Sequence, residues 1–170
     1  MDEQRIGRVY EEHISNFTNW AEKNSWKIIV KKNENLNLSS KLLQRYDIPF
    51  EYEIFLKNIE TCVNKDDTLW FFCADDYNET SEEAFKWFDF EEISIEATEN
   101  NTVLSNKIKN YWSDHLPIIF KVKDRYEYYA INIKTKEIVY GCEPEFEECK
   151  VVANDFWDFL KKVITNSIAL

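Results

Sequence analysis

The segment Glu143-Pro144-Glu145-Phe146-Glu147-Glu148 sets four carboxylates around one aromatic ring within six residues. Such a loop can clamp the lysines and arginines of a basic protein, with Phe146 as an apolar anchor. Calcium is the other cation it suggests, but the segment lacks the alternating Asp/Asn ligands and central glycine of an EF-hand. A plain solvated loop is the competing reading. Asp75, Asp76 and Glu79 form a second acidic group just after an apolar run, where turn chemistry alone also favours Asp. Were the end of that run to lie beside the 143–148 loop, the two groups would merge into one negative face.

His115, between Asp114 and Leu116-Pro117, has the carboxylate neighbour that suits a general base. No serine or cysteine carries a nucleophile's local signature around it. A hydrogen-bonding histidine at a helix-to-strand junction is therefore preferred. His13, on a helix flank, is distant from it in sequence, which disfavours a zinc pair. Cys62, Cys73, Cys142 and Cys149 do not repeat the paired Cys-x-x-Cys spacing of zinc knuckles and read as reduced, packed thiols. Gly7 and Gly141 are too far apart to cradle a phosphate. No catalytic residue, cofactor or metal ligand is assigned.

The chain of 170 residues, 44% apolar and 16% aromatic, can bury one core, so a single domain over 1–170 is expected. Its formal net charge of −11 repels nucleic acid and anionic lipid and favours encounter with a basic protein. The start MDEQRIGRVYEEH is acidic where a signal peptide would be basic. The longest apolar run, Leu69–Ala74, is too short to span a bilayer. The expected location is the cytoplasm.

Several elements must position these groups. Ile6, Tyr10, Ile14, Phe17 and Ala21 recur at helical spacing over 5–21. Residues 26–30 read as an edge strand and NENLNLSS as loop. Ser39 or Ser40 caps a helix through Tyr46. Pro49 suits the first turn of the next, whose face carries Tyr52, Phe55, Leu56 and Ile59. Residues 69–73 read as a strand buried on both sides. Thr80 and Glu83 make a capping-box pattern for a helix bearing Ala84, Trp87 and Phe88. A further helix spans 101–112. Ile118, Phe120 and Val122 alternate as a half-buried strand, and two more strands complete an antiparallel meander. Val152, Phe156, Phe159, Leu160, Val163 and Ile164 mark a closing helix capped by Asn154 or Asp155. Most aromatics fall on these apolar faces; Trp157 and Tyr128 lie off the main stripes and are candidate contacts. The class is α+β, a mostly antiparallel sheet flanked by helices.

Three stretches resemble the SUKH superfamily, the Smi-one/Knr-four-like proteins: SSKLLQRYDIPFEYEIFLKNI at 39–59, the strand Leu69–Phe72 with the helix expected after it, and LPIIFKVKDRYEYYAINIKTKEIVYG followed by ANDFWDFLKKVI. The match spans 39–168, with 1–38 contributing the first helix and the edge strand. Glycines usual in that family are replaced here by Glu60-Thr61 and Asp124-Arg125-Tyr126, so turn types should differ. The resemblance implies a non-enzymatic domain, in bacteria an immunity protein that neutralises a cognate toxin, often a nuclease. A regulatory scaffold domain is the alternative. A hydrolase or metal enzyme built on His115 ranks last. The candidate partner-binding residues are Asp75, Asp76, Glu79, Glu143, Glu145, Phe146, Glu147 and Glu148.

Overall fold

Ile14, Phe17 and Ala21 recur every three or four residues, which puts them on one buried face of α1 (Glu3–Lys23). The computed structural model describes residues 3–170, so the Met1-Asp2 start of the amino-terminal reading and of the expected domain lies outside the described residues. After Ser25 turns the chain at φ 61°, β1 (Lys27–Val30) forms a sheet edge. The Ser39 hydroxyl accepts the Leu42 N–H at 3.4 Å and starts α2 (Ser40–Arg45). Pro49 is the N-cap of α3 (Phe50–Asn58), one position before the first turn expected for it. α3 runs straight into β2 (Ile59–Val63). Ile59 therefore begins a strand and does not extend the helix face: its N–H still bonds Phe55, but its backbone is already extended.

β3 (Leu69–Phe71) is buried throughout, as its unbroken apolar run implies. Next come α4 (Ala74–Tyr77), α5 (Asp89–Glu96), α6 (Thr102–Asp114), β4 (His115–Lys121), β5 (Glu127–Asn132), β6 (Ile138–Cys142), β7 (Lys150–Ala153) and α7 (Phe156–Ile164). The strands lie in chain order, each antiparallel to the next, so the domain is α+β with one seven-stranded antiparallel sheet.

Successive side chains of a strand point to opposite faces, which sorts the core into two layers. Phe71, Ile119 and Tyr129 share a cross-strand row on the α1, α3 and α7 side. There Phe71 meets Phe17 at 5.1 Å and Phe55 at 5.6 Å, and Tyr129 meets Phe159 at 5.2 Å. Trp70, Phe120 and Tyr128 form the next row, on the opposite face. Phe90 of α5 lies flat on Phe120, 3.8 Å between centroids, and Trp112 of α6 sits 4.8 Å from Tyr128. The sheet is thus the middle of three layers, each outer one helical.

This double cover explains the main departures from the sequence reading. β4 is not half-buried: His115 to Phe120 are all buried, because helices lie on both its faces. The helix expected after Thr80 does not form. Thr80 turns its N–H and hydroxyl back to the Asp75 carbonyl, and Phe85 and Trp87 reach different neighbours: Phe85 packs at 5.1 Å on Tyr126 and Trp87 at 6.0 Å on Tyr46. Helix begins only at Asp89, whose carboxylate accepts the Lys86 N–H at 2.8 Å. Val152 belongs to β7, not to the closing helix, which starts after the Asp155 cap. Tyr128 is fully buried and so is no surface contact.

Candidate functional site

The two acidic groups picked out in the sequence lie at opposite ends of the strands. Leu69, Lys121, Glu127 and Cys142 are linked by pairing, so the loop after Cys142 leaves the sheet beside the start of β3. Asp75, Asp76 and Glu79 follow the other end of β3. They do not form one face with the loop. Asp76 is 9% exposed, and its carboxylate accepts the Cys73 N–H at 2.7 Å, which fixes the first turn of α4. Burial pushes its pKa up, against that hydrogen bond. Asp75 is exposed; Glu79, also exposed, pairs with Lys86 at 3.3 Å.

In the 143–148 loop the aromatic points inward. Phe146 is 2% exposed, stacked 4.8 Å from Phe90, so it is a core residue and not an apolar anchor for a partner. The ring is held by burial under α5 and α6, and its carbonyl accepts the Tyr128 hydroxyl. Since that proton is committed to a carbonyl, the Tyr111 hydroxyl donates to Tyr128. Glu143 is half-buried and accepts the Tyr126 N–H at 2.8 Å, which leaves Glu145, Glu147 and Glu148 as the loop's outward carboxylates.

Through Phe146 the loop is tied to α5, and α5 carries the carboxylates that motif-by-motif reading passed over. Residues 75–99 hold ten Asp and Glu against Lys86 alone, net −9, and residues 143–148 add −4. The remainder of the chain is therefore net +2. A running charge count would have found this; a search for spaced motifs does not. Within the segment Glu91 is neutralised by Arg45 at 2.7 Å. Among the described residues Glu92, Glu96 and Glu99 have no ion-pair partner within 4.0 Å. Burial, then the Asp76 and Asp67 charges, raise the Glu83 pKa.

His115 is engaged on both ring nitrogens. Its Nδ1 lies 2.7 Å from the Tyr111 carbonyl and must donate, which leaves Nε2 to accept from the Asn132 side chain at 3.5 Å. The ring stacks on Tyr111 at 4.0 Å, and burial lowers its pKa. Asp114 turns away to Lys134 at 2.7 Å. This is a junction histidine with no open base position. The hydroxyls of Tyr46, Tyr52 and Tyr77 are likewise committed to the carbonyls of Trp112, Phe72 and Pro117. Trp157 is half-buried, stacked 4.7 Å from His13. Cys62 and Cys73 are buried thiols whose pKa burial drives up; Cys142 and Cys149 are half-exposed, and all four are free. A groove of about 610 Å³ between α1 and α7 is lined by none of the predicted site residues. No helix of the described residues is long and apolar enough to cross a membrane.

The geometry defines an α+β domain with two strongly acidic segments, one running from the far end of β3 through α5 and the other in the 143–148 loop at the near end. Compared with protein-family models, curated proteins and solved structures, the chain matches none.

Proposed function

We propose that this chain is a protein-binding domain that captures a basic partner, and that in the cell it is a cytoplasmic immunity protein neutralising a toxin domain of nuclease type. The observation that carries the binding reading is the separation of charge, −13 over two contiguous segments against +2 over the rest. Negative charge of this size accelerates encounter with a cationic surface and disfavours nucleic acid as a direct ligand. The toxin as partner rests on the resemblance to the SUKH superfamily. Nucleases bind polyanions and so present a basic surface, which an acidic domain can occlude without doing chemistry. The test is to co-express the chain with the toxin domains encoded beside its gene and to measure rescue of growth and complex formation. Rescue with a stable complex is the expected result. Failure to bind any of these domains overturns the toxin reading.

A further inference from the structure

The carboxylates of α5 and the turn after it work against the local fold. α5 has acidic side chains in its first turn, where the helix dipole favours them, but Glu96 stands in its last turn, where no basic residue balances it. Glu92 and Glu96 are like charges one helical turn apart, a spacing that destabilises a helix. Glu99 takes φ 50°, a conformation more usual for Asn or Gly. None of the three has an ion-pair partner among the described residues. Apolar groups stand among them. Ile93 is 37% exposed, Leu104 38% and Val103 82%, all within twelve residues. One exposed aliphatic is ordinary; three beside unpaired carboxylates on one helix–turn–helix make an amphipathic surface.

Resting on the function just proposed, we infer that the basic partner docks on the outer side of α5, the turn after it and the first turn of α6, with the 145–148 edge of the acidic loop beside it. The occupant is a polypeptide face that carries apolar side chains between its lysines and arginines. Glu92, Glu96 and Glu99 set the encounter, and Ile93, Val103 and Leu104 hold the complex once water is excluded. The Phe90–Phe146 stack, 4.8 Å between centroids, ties the loop to α5.

The test uses the full chain with a neighbouring toxin domain and, in a second arm, a Lys/Leu amphipathic peptide as a defined cationic probe. Glu92→Gln/Glu96→Gln/Glu99→Gln should lower the association rate about tenfold at low ionic strength, and the difference should shrink at about 0.5 M salt. Ile93→Ser/Val103→Ser/Leu104→Ser should raise the dissociation rate about tenfold, and Val103→Ser alone, at a site with no packing to lose, should move it in the same direction. Glu11→Gln/Glu12→Gln/Glu22→Gln on α1 is the charge-matched control and should leave both rates within about twofold. A toxin domain that binds with unchanged rates in the first two variants, or that protects amides outside 89–104 and 145–149, overturns this surface while leaving the proposed function standing. If no toxin domain binds, the proposed function fails and the peptide arm decides: backbone shifts confined to 89–104 and 145–149 support the surface, and shifts spread over the molecule overturn it.

Discussion

Gly141 is where the fold of the acidic loop can be tested with one methyl group. It sits on β6 opposite Tyr128, and a Cβ there would lie 2.5 Å from the Tyr128 Cε1 and hydroxyl oxygen and 2.6 Å from Cζ. Ordinary carbon contacts are about 3.5–4.0 Å, so the ring must move by roughly 1 Å. It has nowhere to go. Tyr128 is fully buried between Trp112 at 4.8 Å and Phe146 at 6.0 Å, and its hydroxyl is tied to the Phe146 carbonyl and the Tyr111 hydroxyl. Overpacking of this kind costs about 1–3 kcal/mol. Displacing the hydroxyl from its buried acceptor adds about 1–3 kcal/mol. Gly141→Ala should thus lose about 2–6 kcal/mol, read as a fall in Tm of roughly 4–24 °C at this chain length.

Gly7 supplies the opposite sign from the same substitution. It lies within α1, and nothing stands within 4 Å of its would-be Cβ. Gly7→Ala should therefore stabilise by about 0.5–1 kcal/mol through helix propensity alone. Calorimetry or urea unfolding of both variants is the assay, with Tyr128→Phe as the partner in a double-mutant cycle. Phe lacks the hydroxyl that meets the new methyl and that tethers the ring, so the double variant should be less destabilised than the sum of the singles. Amide exchange over 146–149 should quicken in Gly141→Ala, because the same hydroxyl anchors Phe146. If Gly141→Ala melts within about 2 °C of the parent, the close approach of β6 to Tyr128 is wrong.

Three further outcomes follow from the same geometry. The burial-lowered pKa of His115 means that the unfolded chain takes up its proton first, so stability should fall as pH drops below the ordinary 6.5 and on through the lowered folded value. His115→Gln should flatten that part of a Tm–pH profile and leave partner binding unchanged; loss of binding would contradict a structural role. Asp76 has the opposite sense. Its folded pKa is raised, so its contribution is full below the ordinary 3.8 and is lost as pH rises through the folded value. Asp76→Asn, which can still accept the Cys73 N–H, should reduce that slope; an unaltered profile would remove the burial argument. In native protein a thiol reagent should label Cys142 and Cys149 quickly and reach Cys62 and Cys73 only on unfolding, since the latter are buried with thiol pKa values pushed up. Four equally fast thiols would refute the packing.

Elements whose periodicity equals their burial were legible from the residues alone: the stripe of α1, the cap of α2 at one of two serines, α6 to within two residues at each end, the β4–β6 meander and α7 with its cap at one of two residues. The misreading of β4 has its source in the second helical layer, and the others have local causes. A helix on each face of β4 erases the meaning of its alternation. The contest between Trp70 and Tyr46 for the aromatics of 85–87 overrides a capping-box pattern at Thr80. β2 and β7 are short, and each begins where a helix pattern was still readable or about to start. Phe146 shows the same limit within the candidate site. Four carboxylates around a ring read as exposed, yet a ring with a partner such as Phe90 is buried even between charges. Glu92, Glu96 and Glu99 form no motif and are conspicuous only once α5 is known to end at Glu96.

The charge separation gives folding and binding opposite responses to salt, and that opposition distinguishes a docking surface from acidity that merely keeps a protein soluble. Between the two helical layers lies the sheet, and the layer of α1, α3 and α7 carries the Phe17, Phe55, Phe71 and Phe159 packing with little net charge. α5 holds the like charges Glu92 and Glu96 one turn apart, and before it burial, then the charges of Asp76 and Asp67, raises the Glu83 pKa. Salt at about 0.15 M screens exposed charges beyond about 8 Å, so raising it further relieves these repulsions and should raise Tm. The same screening removes the attraction that draws a cationic partner to the surface, so its association rate should fall over the same range. An acidic layer that repels itself when alone is relieved by the lysines and arginines of a partner, so binding should stabilise this layer above the rest of the domain. Amide exchange in the bound state reads that difference directly: protection should rise most at α5 and the first turn of α6 and least at α1. Uniform protection would mean that the charge is dispersed in its effect, and that the unpaired glutamates of α5 are no more than a solvated face.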